Sequence, residues 1–207
     1  MYIPEFNRVE DHAKALAFMR ANPFATLVST TEQGPFATHL PMLIHDSSGT
    51  VSLRAHVAKA NPHWRILEQG GDSLVIFHGP HAYISPSLYE IRESVPTWNY
   101  AAVHVYGKGR VVNDEAQTRQ TLEDLIAQFD SSYLPQWQSF SNEYRERMQR
   151  HIVAFEIVAT RIEAKFKLSQ NRTKTEQEKV IRALSESKDS AVTEVAALMR
   201  HQGLGVR

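Results

Sequence analysis

The chain has 207 residues, 42% of them hydrophobic and 22% charged, with 23 Lys and Arg balanced by 23 Asp and Glu and no cysteine. That length suits one large domain, or a domain with an appendage, and can bury a core without disulfide or metal staples. The missing cysteines exclude disulfides, thiolate catalysis and cysteine-held zinc or iron–sulfur centres, and the zero net charge offers no surplus for non-specific nucleic-acid binding. No run approaches the 18 to 20 apolar residues of a membrane span, and Met1 to Phe6 carries no basic or apolar leader, so a cytoplasmic protein without membrane contact is expected.

Asp11 can cap a helix carrying Ala15, Leu16, Phe18 and Met19 that stops before Asn22-Pro23. Strands follow at 24–31, about 36–45 and 50–56, joined by the turns EQGP and DSSG, which makes an antiparallel meander. Residues 61–69 read as a short helix with Pro62 in its first turn, and 73–77 as a buried strand. A strand at 101–112 leads to a helix at 115–129 with Asp114 and Gln117 in capping-box spacing, and a polar-faced helix covers about 140–150. Residues 162–168 alternate as a half-buried strand. Thr173 with Glu176 opens a further helix, and Val192, Val195, Ala196 and Met199 mark a last one. Short strands with turn signals followed by helices favour a barrel over a parallel sheet, with the boundary near 169–173.

Three segments carry more chemistry than a core needs. Where the third strand runs into its helix, Arg54, His56, Lys59 and Asn61 gather donors that suit a phosphate, or equally a solvated loop with an ordinary cap. FHGPHAYISP and VPTWNY combine X-Pro turns with Trp98, Asn99 and Tyr100; they suit a flat heterocycle, or an aromatic plug or dimer contact. KLSQNR (167–172) could hold an anion through Lys167 and Arg172, or form a plain strand-to-helix turn. Ten histidines keep haem in view, but His78-x-x-His81 lacks zincin geometry and no metal site is expected. Gly107-Lys108-Gly109 lacks the rest of a phosphate loop, and no catalytic residue stands out.

These segments, with MYIPEF, THLPML, HVAKANPHW and GPHAYISPSLY, resemble the PaiB family of FMN-binding negative transcriptional regulators over nearly the whole chain. Leu88 departs from the pattern, standing where an aromatic is expected. The resemblance implies a mostly β, FMN-binding split β-barrel over 1–170 with peripheral helices, a helical tail over 171–207, and a homodimer with FMN at the subunit interface. Carried onto this chain, the flavin phosphate falls to His56, Val57, Lys59 and Asn61, the junction to which Arg54 adds a donor, and the ring to the strand with His39, Leu40 and Pro41. The partner subunit would contribute either from the loop with Trp98 and Asn99 or from the KLSQNR segment with Lys167 and Gln170. It also implies DNA as a partner and flavin as sensor or redox cofactor. An FMN-dependent oxidoreductase and a haem-binding split barrel are the alternatives. From Arg172 onward, seven basic residues face five acidic ones, a weak footprint for DNA, so packing against the barrel is the expected role of the tail.

Overall fold

The computed structural model describes residues 1–205. In chain order they form β1 (Arg8–Val9), α1 (His12–Ala21), β2 (Phe24–Thr31), β3 (Gly34–Pro41), β4 (Leu43–Ser47), β5 (Thr50–Ala58), α2 (His63–Glu68), β6 (Asp72–Ile84), β7 (Thr97–Val111), α3 (Glu115–Phe129), α4 (Leu134–Ser139), α5 (Asn142–Gln149), β8 (Ile152–Lys167), α6 (Lys174–Ser185) and α7 (Ser190–His201). Two compact units emerge: a hairpin unit, Met19–Phe77 with His104–Ile162, and a tail unit, Met1–Phe18 with His78–Val103 and Glu163–Arg207. Among the described residues no helix is long and apolar enough to cross a membrane.

In the hairpin unit the ladder runs β3-β2-β6-β7-β8-β5-β4. The β4–β5 turn places Ser48 and Gly49 at φ 52° and 81°, the left-handed pair that a two-residue hairpin requires. The sequence pattern predicts one strand over 36–45; two form, because fully buried Met42 turns its N–H to the Pro23 carbonyl (2.9 Å) instead of the ladder. β5 alternates strictly, with Val51, Leu53, Ala55 and Val57 in the core and Ser52, Arg54 and His56 on the other face. A Cβ on Gly107 would collide with the Val158 carbonyl oxygen, and one on Gly109 with the Leu67 side chain. The GKG stretch is therefore a closely packed strand, consistent with its failure to read as a phosphate loop.

Two strands run further than the sequence indicates. β6 continues past the apolar 73–77 run through Gly79-Pro80, where the burial alternation slips by one residue at Pro80 and His81, as at a bulge. β8 starts ten residues before the alternating stretch, since Ala154 to Ile157 are buried on both faces and show no period. α4 has no counterpart among the predicted elements; its Pro135 reads as a breaker but occupies the first turn, where a missing N–H costs nothing.

In the tail unit β1 pairs with β8 through Arg8↔Lys165 and Val9↔Ala164. The Thr173–Glu176 capping box is closed in both directions, and the Glu176 carboxylate also accepts from Glu90 N–H (2.9 Å). α6 and α7 bury Val180, Ile181, Leu184, Val195, Ala196 and Met199. The Gln177 amide donates to the carbonyls of Ser169 and Arg172, both at 3.1 Å. The apolar faces of both tail helices are thus spent on packing within this unit.

Candidate functional site

The junction after β5 is held by three hydrogen bonds, one of them to a distant segment. Lys59 N–H donates to the His151 carbonyl (2.8 Å), Asn61 N–H to the Ala58 carbonyl (2.8 Å), and Trp64 Nε1–H to the Lys59 carbonyl (3.0 Å). α2 is only six residues long, and Asn61 Oδ1 already accepts from His63 N–H (3.0 Å). The expected helix-terminus contribution to anion binding is therefore absent, and side-chain cations must supply it. Lys59 is exposed and, among the described residues, has no carboxylate partner. It also borders a cleft of about 480 Å³ with Trp64, Glu68, Glu115, Glu146 and Arg150. The three carboxylates there offset the cations, so the cleft itself does not favour a phosphate.

His56 has a buried Nδ1 that finds no hydrogen-bond partner among the described residues, and burial pushes its pKa down. Arg54 is already committed: its Nε donates to Glu156 Oε1 (2.9 Å), while Arg110 Nε reaches Oε2 (3.0 Å). Glu156 is 5% exposed. Burial works against its charge, but hydrogen bonds from Arg110, Arg54 and Ser52 outweigh that and hold its carboxyl below the usual range. Arg54 thus neutralises a buried acid. Val57 faces the core.

Asn61 heads a polar chain that sequence reasoning did not identify. Its Nδ2 donates to Thr38 Oγ1 (3.2 Å); Thr38 Oγ1 meets His63 Nδ1 (2.9 Å); His63 Nε2 meets Ser29 Oγ (3.1 Å); Ser29 Oγ meets Ser73 Oγ (3.0 Å). His63 is fully buried with both ring nitrogens engaged, and burial pushes its pKa down. The chain ties β2, β3, β6 and α2 to the junction. The only sequence signal was Thr38 and His63 within two of the quoted motifs; spatial adjacency came from the β2–β3 register.

On the outer face of β2 and β3, the register sets Phe24 opposite Pro41, Thr26 opposite His39 and Val28 opposite Ala37. His39 is exposed, with Nδ1 at 2.9 Å from Thr26 Oγ1, whereas Leu40 points into the core.

The remaining expected site residues lie in the tail unit. Asn99 is fully buried: its Nδ2 donates to Ser169 Oγ (3.0 Å) and contacts Met199 Sδ (3.7 Å). Ser169 has φ 66°, an uncommon conformation for a side-chain-bearing residue. The Gln170 amide bonds Phe166 O and Leu168 N–H of its own strand end. Neither amide is presented to a ligand, because each closes a local backbone or core contact. Trp98 is half exposed, and Lys167 Nζ donates to Thr97 Oγ1 (2.5 Å) and the Trp98 carbonyl (2.7 Å).

Residues 1–161 match the family described as "Putative FMN-binding domain". The chain belongs to it. Over 202 residues, 96% of each chain, it is 40% identical to "Protease synthase and sporulation protein PAI 2" of Bacillus subtilis (strain 168), which places it in the PaiB family. It is also 31% identical over 227 residues to the uncharacterized protein AN0679 of Emericella nidulans, covering 89% of this chain and 90% of that one. Among solved structures, the FAD and heme binding protein from Mycobacterium smegmatis superposes with TM-score 0.62 at 13% identity, covering 78% of this chain and 73% of that one. The flavocytochrome Anf3 from Azotobacter vinelandii gives 0.60 at 15%, covering 80% and 72%. The PaiB-family chain thus has the mostly antiparallel split-barrel fold with peripheral helices, and FMN is the flavin of its domain family.

Proposed function

We propose that this chain binds FMN as a homodimer, with the flavin phosphate at the β5–α2 junction and the ring along the outer face of β3. The observation that carries this reading is the exposed Lys59, without a carboxylate partner among the described residues, three residues beyond His56, on a junction held by backbone bonds to His151 and Ala58. Lys59 supplies the charge for a dianionic phosphate and His56 a neutral N–H donor. Asn61, spent on Thr38 and His63, positions the loop instead of touching phosphate. His39 and Pro41 flank the ring, Leu40 and Val57 support it from the core, and Arg54 acts through Glu156. When bound, FMN supplies one- or two-electron chemistry, and the protein's part is orientation and hydrogen bonding.

The uncovered β2–β3 face supports the dimer: Phe24 is 67% exposed there beside Pro41, Val28 and Ala37. Sedimentation equilibrium on wild type is expected to give twice the chain mass, and Phe24→Glu to give the monomer; a monomeric wild type removes the dimer from the proposal.

Flavin then serves as the sensor or redox group of a PaiB-type regulator. The tail adds no DNA surface of obvious strength, since its apolar faces are packed and its basic surplus is two. Titrating FMN against micromolar protein tests the binding reading. Saturable quenching of flavin fluorescence is expected for wild type, at least tenfold weaker for Lys59→Ala, consistent with loss of a charged hydrogen bond. Equal curves for the two proteins would remove Lys59 from the site.

A further inference from the structure

Binding of FMN at the junction leaves the cleft of about 480 Å³ beside Lys59 unused. The cleft is built wholly within the hairpin unit, between α2, the β7–α3 connection and the end of α5. Hydrogen bonds brace its walls. Gln149 Nε2 donates to the Glu115 carbonyl (2.7 Å), Val112 N–H to the Ala154 carbonyl (2.9 Å) and Lys59 N–H to the His151 carbonyl (2.8 Å). A preformed cleft of this size is a common setting for a small ligand. Lys59, the cation given to the flavin phosphate, lines it, so a group carried on that phosphate finds an enclosed space adjoining Lys59.

Arg150, Glu68, Glu115 and Glu146 also line the cleft, and all are exposed. Among the described residues none of them pairs with another charge, although both signs face the same space. Their donors and acceptors are therefore open to a ligand. The balance gives a free phosphate no net attraction, whereas carboxylates accept readily from ribose hydroxyls and from an exocyclic amine. Trp64 adds a flat surface, its ring fixed by the bond from Nε1–H to the Lys59 carbonyl (3.0 Å). The Arg65 guanidinium lies 5.2 Å from the Trp64 ring centroid but takes no part in the cleft wall. The indole thus meets the cleft on a side that Arg65 leaves open, where a purine can stack.

We propose that this cleft receives the adenosine half of a dinucleotide flavin, so that the junction binds FAD as well as FMN; the inference rests on the placing of the flavin phosphate at Lys59. The adenine stacks on Trp64, its amine and the ribose hydroxyls donate to the glutamates, and Arg150 faces the second phosphate. FMN carries about two negative charges on its single phosphate, and FAD spreads the same charge over two phosphates. The extension therefore adds contacts without adding charge, which suits a cleft whose cations and carboxylates nearly balance.

The test titrates FMN and FAD by calorimetry into wild type and two variants. Arg150→Met removes a cation from the cleft, and Asn113→Trp, at an exposed lining position, fills it. Wild type is expected to bind FAD about tenfold tighter than FMN. Arg150→Met weakens FAD about tenfold and Asn113→Trp about thirtyfold or more, while FMN stays within about twofold of wild type in both. Retained FMN affinity also shows that each variant is folded. The proposal is overturned by FAD binding no tighter than FMN to wild type, by a FAD-to-FMN ratio that either substitution leaves untouched, or by FMN weakened as much as FAD. Any of these results with FMN bound normally to wild type removes the adenosine cleft alone. Failure of wild type to bind FMN removes the phosphate junction, and this inference with it.

Discussion

Replacing His63 with alanine is expected to lower the free energy of unfolding by roughly 2–4 kcal/mol, read as a shift of the urea midpoint at constant slope. The imidazole is wholly buried and bridges Thr38 to Ser29, so its removal opens a cavity and strips one bond from each hydroxyl. The loss is not larger because Thr38 keeps Asn61 and Ser29 keeps Ser73. His39→Ala, on an exposed histidine, serves as the control and should cost no more than about 0.5 kcal/mol. Burial holds the His63 pKa below its ordinary value of about 6.5, so the unfolded chain binds the extra proton. The stability owed to the neutral ring is therefore complete above about pH 6.5 and declines as pH falls toward the folded-state pKa. A loss under about 1 kcal/mol would show that the polar chain does not brace the junction.

The second large effect is expected at Glu156. Glu156→Gln should cost about 2–3 kcal/mol. Breaking a buried pair commonly costs more, but here the arginine side chains are 40% and 68% exposed and can rehydrate. Because the folded carboxyl lies below its usual value, the stabilisation is whole above about pH 4.3 and is lost as pH falls through the folded-state pKa. The difference between wild type and variant should therefore shrink on the acid side in urea titrations at pH 7 and pH 3.5. A constant difference across that range would mean that Glu156 is not held as a charged group.

What the sequence made legible follows from how local each signal is. The Thr173 capping box, the DSSG turn and the alternation of β5 are decided within a few residues and appear where expected, while at Asp114 only the forward cap to Gln117 N–H forms. β8 escaped because Ala154 to Ile157 are buried on both faces, which erases the period; Glu156 inside that apolar run was the clue to a buried ion pair. β6 escaped because Gly79-Pro80 reads as a turn, whereas a bulge accommodates it. Within the quoted motifs, the sequence did not show which donors the fold itself uses. Asn99, Gln170 and Arg54 carry donors in sequence, yet their partners are Ser169, their own strand's backbone and Glu156. The Thr38–His63–Ser29–Ser73 chain joins residues up to 44 positions apart and depends on a register no single sequence displays.

The most direct measurement compares FMN with riboflavin, which differs only in lacking the phosphate. If the junction at His56 and Lys59 holds a dianion, wild type should bind FMN tighter than riboflavin by about thirtyfold or more, and Lys59→Ala should erase most of that ratio while riboflavin affinity barely moves. Equal affinities for the two flavins, or a ratio untouched by Lys59→Ala, would contradict the assignment of the phosphate to this loop.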